Sequence, residues 1–171
     1  MTLCAGNNDK GNWHIMSGYG YSVMLGEMLG EGYSTVNSFV WQPKSCWGFG
    51  LDYGMNYHNP VRFSFDEPIS YQRTRRHNNF FVGPSVYWFP VNTAKHRVHV
   101  SGNVNYFHTN DLNQYIIFDT NLQEYKLWQY PDEVVINSIG LGASLGYAYK
   151  LGEHVELGAR FYTSWSQEEF H

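Results

Sequence analysis

Trp47-Gly-Phe-Gly-Leu-Asp-Tyr-Gly-Met-Asn-Tyr57 decides the fold. Its odd positions, Trp47, Phe49, Leu51, Tyr53, Met55 and Tyr57, are large and apolar, while its even positions are glycine, Asp52 or Asn56. A period of two belongs to a β-strand with two unlike faces. In a water-soluble sandwich or barrel the large side chains turn inward and pack on each other. Here the opposite face is nearly all glycine, which suits only a narrow, crowded, polar interior. The bulky face must then look outward into an apolar medium, the pattern of a transmembrane β-barrel.

The alternation recurs along the chain and predicts strands over about 13–25, 33–42, 47–57, 78–89, 97–108, 135–149 and 154–165. The stretch Ser138-Ile-Gly-Leu-Gly-Ala-Ser-Leu-Gly-Tyr147 repeats the opening pattern, with Ile139, Leu141 and Leu145 outward and Gly140, Gly142, Ser144 and Gly146 inward. Pro84 lacks a ladder donor, so a bulge or bend is expected there. Connections alternate in length: 42–45, 90–96 and 150–153 are short, 58–77 and 109–132 long. Transmembrane barrels have short periplasmic turns and long extracellular loops. The strands over 47–57, 97–108 and 154–165 therefore run outward.

That orientation sends Trp13, Trp41, Trp47, Trp88 and Tyr149 to the periplasmic ends of their strands, and Tyr33, Tyr57, Tyr106 and Trp165 to the outer ends. Two aromatic girdles are expected, where amphipathic rings meet the lipid headgroups. Ten steps of strand rise roughly 33 Å, or about 25 Å vertically at the usual tilt, the height of the apolar band. The expected organisation is a periplasmic tail over 1–12 and an outer-membrane barrel over 13–171.

Composition fits. Aromatic residues make up 18% and charged residues 15%, which argues against disorder and against an ordinary wet surface. No stretch approaches the roughly 20 apolar residues of a spanning helix. The net charge of −4 gives no reason to expect nucleic acid. Met1-Thr-Leu-Cys-Ala-Gly lacks the regions of a signal peptide, so a leader is expected to have been removed. Cys4 and Cys46 could form one disulfide in an oxidising periplasm, or be two unrelated thiols.

These features resemble the small outer-membrane β-barrel family, the OmpA and OmpX type of Gram-negative bacteria, over about 13–165. The resemblance rests on pattern rather than on a diagnostic motif. It implies an antiparallel up-and-down barrel of eight strands, whereas seven are visible, and single-chain bacterial barrels have even numbers. A closing strand missing from the sequence is the expectation. The family's internal charged networks block rather than conduct.

Asp52, Glu156 and Arg160 are the lumen charges, with Asp52 and Arg160 near mid-height and expected to pair, since a buried charge needs a partner. His14, His99, Cys46 and Glu156 face inward near the periplasmic rim, but no spacing such as HxxxH supports a metal site, and no cofactor is implied. His99-Val-Ser101 is faintly similar to the His-x-Ser of outer-membrane lipid A deacylases; it faces inward, with no acidic partner evident.

Among the outer segments, Arg73, Arg75 and Arg76 lie at the height of lipopolysaccharide phosphates, which arginine forks grip. The segment 114–130 reads as a hairpin above the membrane, with Phe118, Tyr125 and Trp128 as candidate contacts for other outer-membrane proteins. The expected function is that of a non-enzymatic barrel, structural or accessory to an outer-membrane complex, in contact with lipid and lipopolysaccharide. The alternative is an outer-membrane enzyme acting on lipid A or surface peptides. A lipocalin-type carrier would have the reverse polarity, and eight strands leave no room for an open pore.

Overall fold

The structure, a computed structural model, describes residues 11–24, 30–43, 46–58, 62–63, 72–119, 124–128, 133–152 and 154–166. For 24, 30, 62–63, 72–76, 111–119, 124–128 and 133–134 it describes the backbone only. All its regular structure is strand: β1 (Asn12–Met24), β2 (Gly30–Gln42), β3 (Trp47–His58), β4 (Arg62–Phe63), β5 (Gln72–Asn92), β6 (His96–Asp119), β7 (Glu124–Trp128), β8 (Glu133–Lys150) and β9 (Glu156–Ser166).

Seven strands form the wall of a nearly closed antiparallel up-and-down barrel, in the order β1-β2-β3-β5-β6-β8-β9. Every neighbour in that order is antiparallel, so β1 and β9, the two ends of the sheet, run the same way. Any single strand bonded to both would run opposite to them. β4 and β7 lie off this path, on β5 and β6. The hairpin expected over 114–130 is present as β6 and β7, paired from Asp119↔Glu124 to Tyr115↔Trp128. It extends β6 beyond the wall and adds no barrel strand.

The faces follow the sequence alternation. In β3 Trp47, Phe49, Leu51, Tyr53 and Met55 are exposed, while Gly48, Asp52 and Gly54 are buried. Glycine makes the inner face narrow enough: a Cβ at Gly54 would run into the Thr35 carbonyl and the Phe81 ring. The space saved on β3 is taken by large side chains from β5, Phe81, Tyr87 and Phe89.

The bulge expected at Pro84 is not there. The ladder from β5 to β6 lapses at Gly83–Pro84 without any change of register, and Pro84 pairs in register with Leu51. The register shift falls instead between Trp88 and Val91, around Pro90. Pro84 therefore costs ladder bonds without inserting a residue. The second proline sits next to the tight turn at 93–95, where Thr93 N–H donates to His96 O at 2.8 Å. Bulges favour such rims. At the same end Phe89 N–H donates to Cys46 O at 2.7 Å. Cys46 is disulfide-bonded, and Cys4, the chain's one other cysteine, lies outside the described residues.

Candidate functional site

The lumen is packed in polar and aromatic layers around Asp52, which is fully buried. Its carboxylate accepts four hydrogen bonds: from Tyr87 Oη at 2.6 Å, Asn103 Nδ2 at 2.7 Å, Ser85 Oγ at 3.2 Å and Arg160 Nη2 at 3.3 Å. Arg160 reaches them from β9 across the interior. Its Nη1 donates to Ser38 Oγ of β2 at 2.7 Å and its Nη2 approaches Tyr87 Oη at 3.1 Å. Its guanidinium lies over the Tyr87 and Tyr162 rings, 5.8 and 5.6 Å from their centroids. A desolvated carboxylate is tolerated only when its charge and lone pairs are met. Here one carboxylate gathers donors from β5, β6 and β9, so the network ties the edge strand β9 to the middle of the sheet.

A second chain of contacts lies toward the end with the short turns. Arg97 of β6 donates from Nη1 to His14 Nδ1 at 3.0 Å and pairs through Nη2 with Glu156 Oε1 at 3.2 Å. His14 Nε2 in turn lies 3.0 Å from Gln42 Oε1. The sequence groups Glu156 with Asp52 and Arg160, but the structure gives it to Arg97. The alternation places Arg97 inward one step before the outward Val98, so parity offers the signal that would have found it. Between the two networks Tyr87, Phe89 and Val40 form the buried apolar cluster, with Met16 against it. Beyond Asp52, Phe81 stacks on Tyr162 at 5.3 Å and meets Phe107 at 6.0 Å.

This arrangement pairs the described lumen charges with one another. Ser101 Oγ lies 2.7 Å from Ser144 Oγ, and both ring nitrogens of His99 are buried without a partner, so the two residues of His99-Val-Ser101 do not form a dyad. A Cβ at Gly146 would run into the His99 ring, which shows how closely that strand crosses it. The inward residues of metal-ligand type named from sequence do not converge: His14 and Glu156 flank Arg97, and Cys46 is in its disulfide. Among the described side chains no three of histidine, cysteine or carboxylate type form a metal cage.

Between β1 and β9 the wall is open, and a cavity of about 2350 Å³ runs into the lumen there. It reaches from His14 and Arg97 past Arg160 to His58, His77 and Asn79. On the outer surface Trp13, Trp41, Trp47, Trp88, Tyr149, Tyr33, Tyr106 and Trp165 are exposed, and Tyr57 is half-exposed. Trp13 pairs with Trp41 and Trp47 with Trp88 near the short turns, whereas Tyr33 pairs with Tyr57 near the long connections.

Arg73, Arg75 and Arg76 fall in the outward extension of β5, opposite Tyr115, Asn113 and Leu112, rather than in a loop; their side chains lie outside the described residues. The register assigns Arg73 and Arg75 to one face of that extension and Arg76 to the other. It also sorts the hairpin. Phe118 pairs with Tyr125 and Ile116 with Leu127, so these four share a face, whereas Trp128 pairs with Tyr115 on the other. Side chains of these residues also lie outside the described set. No family model matches the chain, and neither a curated protein nor a solved structure matches it.

Proposed function

We propose that the chain is an integral outer-membrane β-barrel without catalytic activity, structural or accessory to a larger assembly. The observation that carries this reading is inverted polarity. Among the described residues, five apolar side chains are buried against fourteen polar or charged ones, while Trp, Phe, Leu, Ile and Val cover the outside. Water-soluble domains bury apolar groups and rarely expose a continuous apolar belt. Lipid reverses that selection, and it demands paired backbone groups, which the strand ladders supply across the wall but not along the facing edges of β1 and β9. The aromatic residues at the two ends of the wall suit headgroup girdles, and the outward extension of β5 suits arginine contact with lipopolysaccharide phosphates.

The charged network supports a rigid scaffold rather than a conduit, because Asp52, Arg160 and Tyr87 bridge the interior from β3 and β5 to β9, beside the cleft that is open between β1 and β9. The apolar face of the outer hairpin, Ile116, Phe118, Tyr125 and Leu127, is the surface we assign to protein partners. Expression in a Gram-negative host with a cleavable leader tests the assignment. The protein is expected in the outer-membrane fraction of a density gradient, resistant to carbonate extraction and released by detergent with heat-modifiable migration in gels. Recovery in the soluble periplasmic fraction as a folded protein overturns it.

A further inference from the structure

Resting on the reading of this wall as a membrane barrel, we propose that a second copy of the chain docks on the outer face of β1 and β2, with Asn37 of the two copies paired across a two-fold axis. A break in polarity marks this face. Asn37 lies on the outer side of β2, four residues from Trp41 toward the short turns and four from Tyr33 toward the long connections. Ser17, its direct partner on β1, lies four residues from Trp13 and four from Tyr21. Both stand midway between the two aromatic bands, where a bilayer is most apolar. Midway along the outer side of the other five wall strands stand Leu51, Pro84, Gly102, Ala143 and Phe161, all exposed and none polar.

The two polar residues do not satisfy each other. Ser17 Oγ donates to Asn37 Oδ1 at 2.6 Å on the outside of the wall. That bond uses one lone pair of Oδ1, and Asn37 Nδ2 donates to no group among the described residues. A side-chain amide carries two N–H donors and two lone pairs. Leaving them unpaired in an apolar medium is costly, so contact with lipid alone does not account for Asn37.

A second copy supplies what is missing. Copies inserted by one route share one orientation, so a two-fold axis relating them runs along the membrane normal. A residue at mid-height then meets its own equivalent at mid-height. Such an interface uses the same patch on both partners and must be self-complementary. Asn37 meets that demand, because its Nδ2–H can donate to the partner's Oδ1 and receive the same bond in return. The area is sufficient. The outer face of β1, β2 and β3 is about 33 Å long and about 14 Å wide, so two copies together bury about 1,000 Å², the lower bound of a specific interface. The flanking rings are already packed. Trp13 stacks on Phe39 with centroids 4.7 Å apart, and Tyr19 on Tyr33 at 5.7 Å. Side chains held in advance lose little freedom on docking.

The test uses the full chain, delivered to the outer membrane of a Gram-negative host and then reconstituted in phosphatidylcholine vesicles. Thr35→Cys keeps Asn37 and places a thiol two residues away on the same face. Mild oxidation in the host membrane is expected to join this variant into a covalent dimer and to leave Ala143→Cys, on β8, monomeric. In vesicles, energy transfer between labelled copies reads association. Asn37→Leu is expected to weaken it by about 10-fold, the scale of two hydrogen bonds between membrane-embedded chains, and Ser17→Ala by less. Both variants should keep heat-modifiable migration. An Asn37 that merely faces lipid would give the opposite, a more stable leucine variant with unchanged association, and that result overturns the proposal. Should Asn37→Leu fail to fold, the cross-linking arm decides alone. Monomeric, heat-modifiable protein in the membrane fraction overturns the pairing and leaves the barrel reading standing, whereas folded protein in the soluble fraction overturns both. Cross-links from Thr35→Cys to a different protein overturn the second copy as occupant.

Discussion

At the scale of single residues, the energetics centre on Asp52. Its carboxylate is fully buried and meets three neutral donors and one guanidinium. Replacing one partner of a buried ion pair strands the other, at about 3–5 kcal/mol. Asp52→Ala is therefore expected to lose about that much in urea unfolding from lipid vesicles, followed by tryptophan fluorescence. The joint change Asp52→Leu with Arg160→Met should recover most of it, because no charge is left unpaired. If the joint variant is as unstable as the sum of the single ones, the two residues are not coupled. The alternation made Asp52 and Arg160 legible as inward charges. It could not show that Glu156 would go to Arg97, since parity gives a face and not a height across a tilted wall.

At the scale of elements, β8 offers a direct comparison of the two faces. Leu141 is exposed on the outer surface, whereas Ser144 is buried and bonded to Ser101. Leu141→Arg is expected to destabilise the barrel in lipid by about 2–4 kcal/mol, as a cation near mid-membrane does. Ser144→Ala should cost about 1 kcal/mol, the worth of one hydrogen bond. Equal sensitivity of the two positions would contradict the outward face. The outer hairpin gives a second comparison. Phe118→Ser and Leu127→Ser change one face, and Trp128→Ser the other. We expect the first pair to reduce co-purification of outer-membrane partners and Trp128→Ser to leave it unchanged, with heat-modifiable folding retained in all three. Recovery of every partner by the first pair would mean that the hairpin packs only against its own chain.

At the scale of the whole molecule, the seven strands differ in how well they are held. β3, β5 and β6 have a neighbour on both sides, while β1 and β9 have one each. Amides of β1 and β9 are expected to exchange with solvent faster than those of β3, because opening a singly paired strand breaks fewer bonds. Arg160 and Glu156 moderate this for β9, since both tie it across the lumen. Uniform protection around the barrel would show that the seam is covered in the membrane. Planar-bilayer recording should show no large steady conductance, because Tyr87 and Arg160 cross the lumen at the level of Asp52. Wide, stable openings of the parent protein would contradict that packing.

The sequence by itself determined which way each strand faces. Side chains alternate with a period of two, so a run such as Trp47–Tyr57 carries its inside and outside in its own order, whatever its neighbours. It also determined the order of long and short connections and the presence of the outer hairpin. Only the tertiary structure decided which inward residues meet. Strand register and the tilt of the wall set who stands opposite whom, and neither is written in local spacing. That is why Arg97 and Glu156, from β6 and β9, form a pair that no spacing motif announces. It is also why the ladder only lapses at Pro84 and the shift of register falls beside Pro90, where the strand enters its turn and disturbs the fewest bonds.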